Sequence, residues 1–174
     1  ENTALPPMIE QNPLFNTTPE KLKSNMARIL WHEMMNYYCY HVKQDPESAI
    51  GHNMAKLQFF KKHPQLIISR PNSYYMSMSY LVNHYTRLGK YKQALQIAER
   101  LEAETSEPLK EVPLNLVKHF NLAARCEQAI LLCHEQKFAA AIKKAETILT
   151  EKEKMPTGHV ILTLHFYSVA LFHT

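Results

Sequence analysis

Apolar residues recur every three or four positions along most of the chain, the period of an amphipathic helix. Between Leu22 and His41, one stripe carries Leu22, Met26, Leu30, Met34, Tyr37 and His41. A second, beside it, carries Ala27, Trp31, Met35, Tyr38 and Val42. An apolar arc this wide has to be covered on two sides. Thr18, Pro19 and Glu20 read as N-cap, first-turn proline and first-turn acid, so the pattern predicts a helix from there to Gln44. Asp45-Pro46-Glu47 repeats the signal and opens a second helix that ends near Lys62, before Pro64. Pro71 opens a third, with Tyr74, Met78, Leu81, Val82, Tyr85 and Leu88 in phase, and Gly89 closes it. Four more follow: Tyr91 to Glu104, Pro113 to Glu135, one around Phe138 to Leu149, and one capped by Thr157. Leu66-Ile67-Ile68, between two prolines, is the only run that competes as a strand. The expectation is an all-α chain of about seven helices, with residues 1–18 as a lead-in and 19–174 as the helical domain.

Composition narrows this further. Three glycines in 174 residues, where average usage gives roughly 12, leave little material for the positive-φ turns that hairpins consume. Ten prolines supply the junctions instead. The net charge is +4, but twenty Lys and Arg are scattered among sixteen carboxylates, the pattern of a solvated helical surface rather than a phosphate-binding stripe. Nucleic acid is therefore not an expected partner. Cys39, Cys126 and Cys133 each sit in an apolar helical pattern without a CxxC, which predicts buried reduced thiols and a cytoplasmic location. No apolar run is long enough to span a membrane.

Pairing the helices brings out an internal period. Ala49-Ile50, Ala94-Leu95 and Ala141-Ile142 fall 45 and 47 residues apart, each in the first turns of the second helix of a pair. Three residues before each alanine stands a bulky or rigid residue: Pro46, Tyr91 or Phe138. A small residue there lets two antiparallel helices approach closely, while the ring fills the wedge at the turn.

The segment from Leu81 to Leu95 resembles a tetratricopeptide repeat. Leu81, Tyr85, Gly89, Tyr91 and Ala94 match the family pattern, whereas Ala98 and Leu101 depart from it. Phe138 and Ala141 fit in the next pair, where Gln136 stands in the place of the turn glycine; in the first pair only Ala49 matches. The period of about 45 exceeds the family's usual 34. The resemblance implies a right-handed solenoid of antiparallel helix pairs in which the first helix of each pair lines a groove. It places Ser79, Asn83, Thr86 and Arg87 on that groove. Cys126 and Glu127, at the matching places one pair on, depart from the clamp some family members use for a peptide's terminal carboxylate. The last helix is still apolar where the sequence stops and Glu1 stands where an initiating Met is usual, which sets an expectation of further repeats or domains in the same chain.

Catalytic patterns are not found. His32-Glu33 and His134-Glu135 begin like HExxH, but the fifth residues are Asn36 and Phe138. None of the ten histidines lies four residues from another, and no Glu is followed by His three residues later. There is no GxSxG and no glycine-rich phosphate loop. Cys133 and His134 point about 100° apart on one helix and do not meet. No metal, cofactor or enzymatic activity is expected. The expected role is a non-catalytic scaffold that binds a protein or peptide segment through Ser79, Asn83, Thr86 and Arg87, or through an aromatic surface around Trp31 and Tyr38. The competing reading is a ligand-sensing helical domain of a larger bacterial regulator, and a metal-binding bundle comes third. The repeat frame has a direct check. Ala94→Leu adds three carbons at the predicted close crossing and should destabilise by roughly 1–3 kcal/mol in denaturant titration; a neutral result would mean the frame is misaligned.

Overall fold

The computed structural model describes residues 11–150 and 157–174. The described residues contain eight α-helices and no strand: α1 Asn25–Tyr37, α2 Pro46–Lys62, α3 Gln65–Ser69, α4 Pro71–Arg87, α5 Tyr91–Ser106, α6 Leu114–His134, α7 Phe138–Leu149 and α8 Thr157–Phe172. The chain divides into two compact units, Glu1–Ile67 and Ile68–Thr174.

In the first unit the opening helix departs from expectation at both ends. Thr18 caps only a 3-10 turn, Pro19–Lys21, and makes no side-chain capping bond. Leu22 is extended, and α1 starts after Ser24, whose hydroxyl accepts the Ala27 amide at 3.1 Å. Beyond Tyr37 the helix widens into a π turn, Tyr38–Val42. The two stripes fare differently: in the first, Leu30 and Tyr37 are 46% and 64% exposed, while in the second Tyr38 is 6% exposed and Met35 and Val42 pack against its cluster. Gln44 then takes a left-handed φ of 53°, and Asp45 caps α2 by accepting the Ser48 amide at 3.0 Å. Ala49 is fully buried, and the buried Asn36 amide of α1 donates to its carbonyl at 3.0 Å. The lead-in is tied to this pair. Phe15 meets Tyr38 edge to face at 4.9 Å, and the Trp31 indole donates to the Leu14 carbonyl at 3.0 Å. Leu5, Met8 and Ile9, also expected to pack, lie outside the described residues. Leu66-Ile67-Ile68 is not a strand: the Pro64 carbonyl accepts the Ile67 amide at 2.9 Å, and the segment forms α3, a helix beyond the seven expected.

In the second unit each helix packs on the next, and α6 lies against both α4 and α8. The α4–α5 junction is a Schellman motif: Gly89 at φ +67° donates to the Thr86 carbonyl at 3.0 Å and Lys90 to the Tyr85 carbonyl at 2.9 Å. The α6–α7 junction has the same geometry built on a glutamine. Gln136 at φ +58° donates to the Cys133 carbonyl at 3.0 Å, and Lys137 to the Leu132 carbonyl at 2.8 Å. The glycine that the sequence lacks there is thus absent from the residue type but not from the backbone. Five residues past the left-handed positions 44, 89 and 136 stand Ala49, Ala94 and Ala141, 0%, 0% and 2% exposed. Two residues past Gly89, Tyr91 stacks on His134 at 4.7 Å; two past Gln136, Phe138 stacks on His173 at 4.9 Å. Each ring therefore reaches the C-terminal end of a later helix, α6 for Tyr91 and α8 for Phe138.

Polar bridges complete the packing. Glu102 of α5 accepts from Lys144 of α7 at 2.7 Å and from Gln128 of α6 at 2.8 Å, with Arg125 at 4.0 Å. The Gln128 amide also donates to the Ala98 carbonyl at 3.1 Å. Tyr74, Glu104 and Arg100 form a closed triangle between α4 and α5, at 2.6, 2.7 and 3.0 Å. All three cysteines are free and buried, as their sequence setting predicts. The two non-glycine residues at left-handed junctions invite a simple test. Gln136→Gly relieves a conformational cost of about 1–2 kcal/mol at the price of extra unfolded-state freedom. A net gain of roughly 0.5–1 kcal/mol in urea denaturation is expected, and Gly89→Ala should lose a similar amount.

Candidate functional site

The second unit presents its polar side chains in a defined place. On α4, Tyr74, Met78, Leu81 and Val82 are buried. Met76, Tyr80, Asn83 and Arg87, spaced by four, three and four, form the opposite stripe. Asn83 and Arg87 are exposed. Tyr80 is 40% exposed and lies parallel to the buried His84 ring at 6.2 Å, which holds it flat on the helix. Ser79 and Thr86, expected beside Asn83 and Arg87, are partly buried, and each hydroxyl hydrogen is committed within the helix: Ser79 to the Tyr75 carbonyl at 3.3 Å, Thr86 to the Val82 carbonyl at 2.8 Å. They remain available as acceptors. Asn83 and Arg87 are the two exposed members of the four.

The helix beside this stripe is α6. Tyr75 and Phe120 meet at 5.4 Å, and Val82 and Leu131 share one buried cluster, so α4 and α6 run parallel. Phe120, Glu127 and Leu131 fall on one face of α6 by helical spacing. That register sets Glu127 opposite the Ser79–Asn83 stretch. Glu127 is partly buried and has no ion pair or hydrogen bond among the described residues. Burial alone pushes its carboxyl above the ordinary range. The sequence marked Glu127 only as a departure from a clamp; its want of a partner depends on where Arg125 and Lys144 point, which no spacing rule supplies.

The first unit holds a different arrangement. The Nδ1 atoms of His32 on α1 and His52 on α2 lie 3.4 Å apart, and Trp31 meets both rings edge to face at 5.1 and 5.3 Å. One imidazole must donate and the other accept, so the contact excludes the pair with both rings protonated. Burial first, then His52 and Lys56, push the His32 pKa down to about 4, and burial lowers His52 too. His32 lines a cavity of ≈ 220 Å³ with Glu20, Arg28, Gln58, Phe59 and Lys62. Close by, Lys56 is 2% exposed and held by Glu33 at 3.1 Å. The aromatic surface expected around Trp31 and Tyr38 is not formed. Tyr38 is 6% exposed, covered by Phe15 at its edge and by Lys43 over its ring at 5.1 Å, and the Trp31 N–H is committed to Leu14. Tyr38 keeps the register of α1, its N–H on the Met34 carbonyl, and is buried as a member of the second apolar stripe.

Among the described residues no three His, Cys, Asp or Glu side chains are grouped to hold a metal, and no helix is long and apolar enough to cross a membrane. Burial raises the thiol pKa of Cys39, Cys126 and Cys133, against the requirement for a thiolate nucleophile. No family model, curated protein or solved structure matches the chain.

The state of Glu127 can be read from stability. Its raised folded pKa means the native state binds more protons than the unfolded chain between the ordinary carboxylate pKa and the folded one, so stability falls as pH rises through that window. Glu127→Gln should therefore raise stability at pH 7 by on the order of 1 kcal/mol, and the gain should vanish below pH of about 4, where both states of the wild-type carboxyl are protonated. Thermal melts of both proteins at the two pH values measure this; an unchanged or lowered stability at pH 7 would mean Glu127 is paired.

Proposed function

We propose that the chain is a non-catalytic binding module that takes up a protein or peptide segment along the face of α4 and α6. The observation that carries this reading is the exposed stripe of Tyr80, Asn83 and Arg87 on α4. An asparagine amide offers a peptide backbone a donor and an acceptor at once, and Arg87, one turn on, offers a planar set of donors. A flat exposed tyrosine adds apolar area at small entropic cost.

A helical-repeat array of the tetratricopeptide kind is the scaffold we propose. Three considerations support it. The left-handed residue and the buried alanine five positions later occur at three junctions with spacings of 45 and 47. The ring two residues past a junction stacks on the histidine at the end of a later helix, twice. And α6 packs against α4 and α8, while α4 and α8 are not among the packed pairs, which suits an open layer better than a closed bundle. A cytoplasmic role in a longer chain accords with the three buried thiols.

The second reading, a ligand-sensing helical domain of a larger regulator, is favoured by the cavity at His32. It has walls of both characters, an aromatic ring at Phe59 and cations at Arg28 and Lys62, and a neutral imidazole pair behind it. The two readings part on one experiment. Peptides selected from a displayed random library on the full chain should lose about tenfold or more in affinity for the Asn83→Ala/Arg87→Ala double variant. Its melting temperature should stay within a few degrees of wild type, since both side chains are exposed. Undiminished affinity would remove the α4 face from the site.

A further inference from the structure

We propose that the cavity between α1 and α2 binds a small organic acid, a monocarboxylate with a short apolar body, through Arg28 and Lys62. The inference rests on the ligand-sensing reading and adds the chemistry of its ligand.

The cavity follows from how three stretches of the first unit meet. Arg28 and His32 stand one turn apart on α1, and Ala55, Phe59 and Lys62 follow one another at four and three residues on α2. Each helix therefore gives one face to the trough between them. The two run antiparallel, since Lys56 reaches Glu33 while the Asn36 amide reaches the Ala49 carbonyl. The 3-10 turn Pro19–Lys21 supplies a further wall, and Arg28 ties the chain just after it, its Nε donating to the Leu22 carbonyl at 3.2 Å.

The lining fixes the charge of what fits. Arg28 and Lys62 bring two positive charges, against one carboxylate, Glu20, among the described lining residues. Its own backbone N–H and the Thr18 hydroxyl hold that carboxyl below its usual pKa, so Glu20 is ionised at neutral pH. His32 adds no charge there, because burial, then His52 and Lys56, push its pKa down to about 4. The walls thus carry a single excess positive charge, which matches one carboxylate rather than a phosphate dianion. With its Nε committed, the Arg28 guanidinium still offers the donors of its terminal nitrogens, a planar set suited to the two oxygens of a carboxylate.

The rest of the lining fixes the body of the ligand. Pro19, Ala55 and Phe59 make the apolar part of the wall, where a hydrocarbon group gains by leaving water and an inorganic anion does not. The volume of ≈ 220 Å³ equals that of about seven waters, which suits one small molecule rather than a peptide segment. A reporter is built in. The His32 ring in the wall meets Trp31, the only tryptophan of the chain, edge to face at 5.1 Å.

The test titrates butyrate, cyclohexanecarboxylate and hydrocinnamate, the amide of each, and inorganic phosphate into the full chain, read by calorimetry and by Trp31 emission. Saturable one-to-one binding of at least one acid is expected, with a change in emission. Its amide, which brings no charge to Arg28 and Lys62, should bind about tenfold or more weaker. Lys62→Glu reverses the net charge of the walls at an exposed position. It should weaken the acid by about tenfold or more and leave the melting temperature of the free protein within a few degrees of wild type. Equal affinity for acid and amide, undiminished binding to Lys62→Glu, or tighter binding of phosphate than of any acid would overturn this inference and leave a ligand-sensing cavity standing. Binding that leaves Trp31 emission unchanged would overturn the placement of the acid beside His32. No binding by any compound of the set would overturn both the inference and the ligand-sensing reading.

Discussion

The fold depends on how closely paired helices can approach where the chain reverses. A left-handed residue turns the backbone, and five positions on an alanine with essentially no exposed surface lets the returning helix settle against its partner. Helix axes brought to the short end of their usual separation leave no room for a larger side chain, so the crossing is fixed by what is missing from the residue. The rings at Tyr91 and Phe138 use the space beside the same turn, and by stacking on His134 and His173 they carry the spacing of one junction to the next. In the second unit the distance between α4 and α6, and hence any surface they share, follows from this.

Small residues set the distance, but polar ones lock the rotation. Glu102 takes donors from α6 and α7 together, and Tyr74, Arg100 and Glu104 close a ring between α4 and α5. Burial pushes the Tyr74 hydroxyl pKa up, and Glu104 adds to this, so the phenol stays protonated as a donor. A network of this kind gains from being complete, because one missing member leaves a buried polar group unsatisfied.

Much of the fold was legible because its signals are local. Asp45-Pro46-Glu47 caps α2, Gly89 closes α4, and the alanines mark the crossings, each through chemistry confined to a few residues. What was missed required a competition or a distortion. Thr18-Pro19-Glu20 and Ser24 both offer helix starts, and the extended Leu22 between them decides for Ser24. The π turn at Tyr38–Val42 departs from the 3.6 period on which the reading of that helix rests. Gln136 holds a conformation that residue type argues against, because two backbone hydrogen bonds of the Schellman turn hold it there. Of the candidate site, periodicity reached Asn83 and Arg87, since a helical face is a periodic object. It did not reach the meeting of His32 with His52, because that depends on which side chains arrive from another helix.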